Sequence, residues 1–165
     1  HMVKEFGKAA YGKERMHVTS ALIPGVMAKT GMESAEIIKG VVEKTEPDAV
    51  IVIDALAAAE PGRLFRTVQL SDSGIVPGSG VGNSRHEFSR RTLGVPVVAV
   101  GVPTVVDAFS LFRQAELELD VPQGVMVTLQ DVDARVREMG RLIGYGCNLA
   151  LHRSLSLGEI PAFLS

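Results

Sequence analysis

Two segments of the chain carry apolar residues without alternation: 49–53 (AVIVI) and 95–102 (VPVVAVGV). Runs of this length and composition suit strands covered on both faces, as in a parallel sheet packed between helices. The first run delivers Asp54 at its end, and the second stops at Gly101-Val102-Pro103. Helical spacing of Ile37, Ile38, Val41 and Val42 predicts a helix over 32–44, opened by Thr30 and Glu33 at capping-box separation, with Gly40 as a weak point inside it. Val132, Val136, Met139, Leu142, Ile143, Leu149 and Ala150 outline one face of a long last helix that starts near Thr128 and Asp131. Gly140, Gly144 and Gly146 each cost that helix about 1 kcal/mol relative to Ala, which implies close packing against a neighbour or a kink near Gly144.

Weaker patterns complete the order. Residues 17–22 alternate as a strand, 64–70 read as another, and Ser71-Asp72-Ser73-Gly74 ends it with turn chemistry. Asn83 or Ser84 caps a short helix that stops near Gly94, a residue type that favours the left-handed position after a helix. Thr104 with Asp107 opens a helix through 119, and 125–127 form a brief strand. Residues 1–16 carry no firm element, and the tail from 155 is irregular. Alternating strands and helices predict an α/β fold, a three-layer sandwich with a mostly parallel sheet, as one domain over 1–165.

Composition narrows the class. With 46% hydrophobic residues and a mean hydropathy of +0.22, the chain buries a core rather than staying disordered. Seventeen basic residues against 19 acidic ones, with no basic run, argue against a nucleic-acid surface. The absence of Trp and a count of two Tyr argue against a stacking surface. No apolar stretch is long enough to cross a membrane and no secretory signal is visible. Cys147 is the single cysteine, which excludes an intrachain disulfide and fits a reducing, intracellular setting. His1-Met2 reads as a cloning scar joined to a start codon.

Asp54 is the most informative candidate. A carboxylate at the end of an apolar strand pays a large desolvation cost unless it has partners. It is either a catalytic acid, base or metal ligand, or an acceptor for backbone amides of the following turn. The loop over 74–83 (GIVPGSGVGN) holds Gly78, Ser79, Gly80, Gly82 and Asn83, and such a loop lets backbone approach a ligand closely. It matches neither the phosphate loop of nucleotide hydrolases nor the dinucleotide fingerprint. The plain alternative is a surface loop with unusual dihedrals. Asp72 precedes this loop and is a lesser candidate, since most turn aspartates bond their own backbone. Asp107 has a structural explanation as half of a capping box, His86 reads as solvated, and His152 suits the carboxyl end of a helix when charged. No Ser-His-Asp set is identifiable, nothing marks Cys147 as a nucleophile, and no cofactor or metal is called for.

The segments PGVMAKTGMESAEIIKGVVEKTEPDAVIVIDALAA, TVQLSDSGIVPGSGVGNSRHEFSRRTLGVPVVAVGVPTVVDA and MVTLQDVDARV with CNLALH resemble the germination protease (spore protease) family over about residues 21–152. The resemblance implies an endopeptidase of the spore core that degrades small acid-soluble spore proteins, is made as a self-cleaving zymogen and assembles as a tetramer. It also implies a fold similar to hydrogenase-maturation proteases and an aspartic-type mechanism with two aspartates. One of these lies in the motif Ile53-Asp54-Ala55-Leu56-Ala57-Ala58, which gives Asp54 that role. Nothing before Ala21 matches the segment that carries the other aspartate, and a few residues stand where the family has a long insertion before MVT. A lone carboxylate cannot divide acid and base duties. Two further functions therefore stay open beside the peptidase: a non-catalytic assembly module on the same scaffold, and a metal-dependent maturation-type peptidase with Asp54 as ligand.

Overall fold

The structure is a computed structural model, and it describes residues 17–25, 27–79, 86–116, 124–152 and 156–159. These fall into two compact units, one spanning Pro24–Val136 and one combining the described residues of His1–Ile23 and Arg137–Ser165.

The larger unit is built on two long strands. Strand β1 spans Val50–Ala58 and β3 spans Val97–Asp107, and they pair in parallel from Val50↔Val97 onward. Strand β2 (Gln69–Ser71) lies antiparallel along the other side of β3, and β4 (Met126–Val127) pairs antiparallel with the end of β3. The fold is α/β, but the sheet is mixed, where the sequence predicts a mostly parallel one. The reason is connection length. Residues 59–68 join β1 to β2 through a single 3-10 turn (Pro61–Arg63), and a parallel return needs a crossover of a dozen or more residues.

Both long strands run further than their apolar runs. In β1 the small residues Ala55, Ala57 and Ala58 stay in the ladder with β3. In β3 the chain passes Pro103 because the register shifts between Leu56 and Ala57, which leaves Thr104 without a partner on β1. A bulge is where a strand tolerates a proline that lacks a donor. Thr128 holds this point by donating its hydroxyl to the Thr104 carbonyl at 2.6 Å. The helix expected from Thr104 starts later, as α4 (Ala108–Gln114), and Asp107 alone is its cap: its carboxylate accepts from the Ser110 amide at 2.9 Å and the Ser110 hydroxyl at 3.0 Å.

Before β1 come a short helix α1 (Met27–Thr30) and α2 (Ser34–Thr45). Helix α2 is capped at Glu33 rather than Thr30, and the Glu36 carboxylate reaches back to the Glu33 amide at 3.2 Å. The single turn α3 (Arg90–Leu93) ends at Gly94, which takes the expected left-handed conformation (φ 77°). Its cap is Ser89, and Asn83 and Ser84 lie outside the described residues. Phe88, Leu93 and Val97 form a buried cluster, against which Ala35, Ile38, Val50, Val52, Ile75 and Val95 pack. Helices α2 and α3 therefore cover the sheet face that carries Val50, Val52 and Val97. Residues 64–70 are not a continuous strand: Leu64 and Phe65 are buried in a turn, Phe65 sits at positive φ (53°), and its amide donates to the Pro103 carbonyl at 2.9 Å.

Helix α5 spans Val132–Leu151. A Cβ built on Gly140 or Gly146 meets nothing within 4 Å, so close packing does not explain those glycines. Residues 17–22 form no strand. In the smaller unit the His17 amide donates instead to Nδ1 of buried His152 at 3.3 Å. Among the described residues no helix is long and apolar enough to cross a membrane.

Candidate active site

Asp54 occupies the middle of β1, not its end, because the alanines that follow keep pairing with β3. Its partner in the register is Gly101, and the partner of Gly101 on the far side is Gln69 of β2. Directly opposed residues project to the same face of a sheet. Asp54 and Gln69 therefore flank Gly101 on one face, in the row Asp54–Gly101–Gln69. Parity places them on the helix-covered face with Val50, Val52 and Val97, where Asp54 is half-buried and Gln69 exposed.

Gly101 is a glycine for a steric reason. A Cβ there would lie 2.3 Å from one Leu56 methyl carbon and 2.7 Å from its branch carbon. Leu56 is two residues beyond Asp54 on the same face, and its side chain lies over buried Gly101, filling the space between the two outer strands. The bulge at Thr104 and the turn through Phe65 follow immediately along the strands. Bulges are common next to active sites, where they re-aim neighbouring side chains.

The remaining candidates disperse. Asp72 is exposed in the turn after β2. Because β2 runs antiparallel, Ser71 pairs with Ala99, so Asp72 is displaced toward the start of β3 and away from the Asp54 row. Two strand spacings and three residues along the strand put the two aspartate Cα atoms about 14 Å apart. The structure does not bring Asp72 to Asp54. Gly78 takes positive φ (75°), and the exposed Ser79 donates its amide to the Val76 carbonyl at 3.3 Å. Gly80, Gly82 and Asn83 lie outside the described residues. The base of the glycine loop is closed by two backbone bonds between Ile75 and Phe88, at 2.9 and 2.8 Å. Gly74 is required there, since a Cβ would sit 2.3 Å from the Phe88 carbonyl oxygen.

Electrostatics set the other ionisable candidates apart. The guanidinium of Arg91, bonded to Glu87, holds that carboxyl below its ordinary value. Burial pushes the Cys147 thiol up, which suits a packed thiol rather than a nucleophile. Burial, and then the charge of His17, hold His152 below its ordinary value. A charged His152 stabilising a helix end is thereby corrected: Nδ1 is occupied as an acceptor, and the ring is neutral near pH 7. His86 is exposed. Among the described residues no group of three His, Cys, Asp or Glu converges to hold a metal ion. Gln69 and Gly101 are the two residues of the row that sequence reasoning does not single out. The available signal is alternation in VQLS, where Val68 and Leu70 take one face and Gln69 and Ser71 the other.

Comparison with known proteins accounts for these motifs. A family model described as germination protease matches residues 10–119, which begins ahead of residue 21, where the resemblance was expected to start. A germination protease of Clostridium acetobutylicum is 38% identical over 187 residues, covering 92% of this chain and 57% of that protein. Those of Geobacillus sp. WCH70 and Bacillus cereus AH187 are 60% and 58% identical over 99 residues, which is 60% of this chain and 27% of each relative. The chain thus spans little more than half the length of the first relative and about a quarter of the other two. The half-buried aspartate of β1 and these identities lead to one assignment: the chain belongs to the germination protease family.

Proposed function

We propose that this chain carries the catalytic aspartate of an endopeptidase that hydrolyses small acid-soluble spore proteins, with Asp54 as the general base that activates water. The observation that carries this reading is the placement of Asp54. It is a half-buried carboxylate in the middle of a long sheet strand, beside a glycine and next to a bulge. The glycine loop, anchored at Ile75 and Phe88, is proposed to border the substrate crevice. The scaffold is proposed to be the three-layer fold of hydrogenase-maturation proteases. Ile51, Ile53, Leu70 and Val98, exposed on the face opposite Asp54, support a second covering layer. Tetramer assembly and a spore-core location are part of the same proposal.

A second reading, a non-catalytic assembly module on the same scaffold, is the other outcome of the test. The deciding experiment incubates a purified small acid-soluble spore protein with this chain and with Asp54→Asn, and measures intact mass. Discrete fragments from the parent alone support the peptidase. Equal fragmentation by both removes Asp54 from the chemistry, and no cleavage by either folded protein favours the assembly module.

A further inference from the structure

His152 is the single titratable side chain among the buried described residues, and it has no part in the chemistry proposed above. It follows the last residue of α5, and its amide donates to the Asn148 carbonyl at 2.9 Å. Its ring meets the segment 17–23, every residue of which is exposed and none of which enters a strand. Among the described residues one hydrogen bond ties that segment to the rest of its unit: the His17 amide donates to Nδ1 of His152 at 3.3 Å, across 135 positions of sequence. The segment's other bond, from the Thr19 hydroxyl to the His17 carbonyl at 3.4 Å, is internal to it.

An amide N–H donates only to a ring nitrogen that carries no proton, so this bond requires the neutral Nε2–H tautomer of His152. A proton on Nδ1 sets two donors against each other and places a charge in a buried site. The groups around the ring do not offset that charge. From the segment, the charge of His17 opposes it. On α5 the ionisable side chains of the last two turns are Tyr145 and Cys147, and the nearest charged one, Arg141, lies about 16 Å back along the helix. Beyond the helix, the Glu159 carboxylate accepts from the Ser156 amide and hydroxyl, both at 2.8 Å. Among the described residues no carboxylate is bonded to the ring of His152.

We propose that the contact between His17 and His152 is a proton-operated latch: with Nδ1 bare it fixes residues 17–23 against the end of α5, and a proton on His152 releases that segment while α5 and the larger unit stay folded. The latch is independent of the chemistry at Asp54, which belongs to the larger unit. Release opens the ring to water, where it regains its ordinary value of 6.5. The closed form binds the proton more weakly than the open one, so closure is complete above 6.5 and weakens as pH falls below it, by up to about tenfold for each pH unit.

The test follows the full chain between about pH 7.5 and 5.5 by two signals. One is the NMR resonance of the His152 ring, and the other is hydrogen exchange of the 17–23 amides, corrected for its intrinsic pH dependence. Protection of the His17 amide should fall in step with protonation of the ring, while the amides of α5, β1 and β3 stay protected. His152→Phe keeps a ring and removes the acceptor, so the His17 amide should exchange freely at every pH. His152→Asn keeps an acceptor near the place of Nδ1 and does not titrate, so whatever protection it gives should not vary with pH. A parent whose ring takes up a proton with the His17 amide still protected overturns the latch. So does a His152→Phe protein that keeps the parent's protection of His17, or a parent in which the α5 amides open together with that of His17.

Discussion

Replacing Gly101 by Ala tests the geometry of the site without touching its chemistry. Gly101 does not adopt a left-handed conformation, so backbone strain gives no reason for a glycine there. Space does: the new methyl would lie 2.3 Å from a Leu56 methyl carbon and 2.7 Å from its branch carbon. The terminal methyl can rotate away, but the branch carbon moves only if the whole side chain or strand β1 shifts. Overpacking of this kind costs about 1–3 kcal/mol. The lower entropy of an unfolded alanine offsets about 0.4–1 kcal/mol of it. A net loss of roughly 0.5–2 kcal/mol corresponds to a fall of about 1–8 °C in Tm for a chain of this size. The decisive form is a double-mutant cycle. Leu56→Ala alone removes a half-buried side chain and destabilises, but it also vacates the space that the methyl introduced by Gly101→Ala needs. The double variant should therefore be more stable than the sum of the single effects by at least about 1 kcal/mol. Urea unfolding of the four proteins measures this. A Gly101→Ala protein as stable as the parent, or additivity within about 0.5 kcal/mol, would refute the packing of Leu56 over Gly101.

Gly140→Ala, in α5, should raise stability by about 1 kcal/mol, since the residue is helical and its new methyl meets open space; a loss on thermal unfolding would show a packing partner. Asp107→Ala removes the cap of α4 and should cost about 0.5–2 kcal/mol in urea unfolding, while Asp107→Asn should keep most of it. Stability should fall as pH is lowered through the ordinary histidine value of 6.5, because the unfolded chain protonates His152 before the folded one does; the contribution is fully present above 6.5. Urea midpoints between about pH 7.5 and 5.5 check this, with His152→Gln flattening the slope. A parent that becomes more stable toward low pH would mean that His152 is charged in the fold.

The sequence made β1 and β3 legible because unbroken apolar runs have one economical use, and it made Asp54 legible because a carboxylate beside such a run demands an explanation. It misplaced Asp54 along the strand. Alanines 55, 57 and 58 have weak strand propensity, and only their pairing with Val102, Val105 and Val106 keeps them extended. Pro103 misled in the same way, since a proline argues for a strand end until a bulge at Thr104 provides for it. The direction of β2 was hidden because strand direction is decided by connection length and not by strand composition. Caps were legible at these two helices but three residues from the right residue: Glu33 instead of Thr30, and Asp107 alone instead of Thr104 with Asp107.

The position of Asp54 along its strand bears on where chemistry sits. In open parallel sheets ligands gather beyond the carboxyl ends of the strands, and Asp54 read as a strand end would lie there. In this fold it lies four residues before the last residue of β1, inside the ladder. A carboxylate inside a ladder is presented from a rigid element rather than a loop. The same ladder fixes what stands opposite. A one-residue slip of β2 would turn Gln69 to the other face and bring Leu70 beside the carboxylate, and that slip is resisted because Ile75, a few residues on, is bonded to Phe88 in the buried cluster. The hydrophobic cluster under α2 and α3 therefore does more than stabilise the unit. By pinning the exit of β2, it sets which side chain faces Asp54 across Gly101.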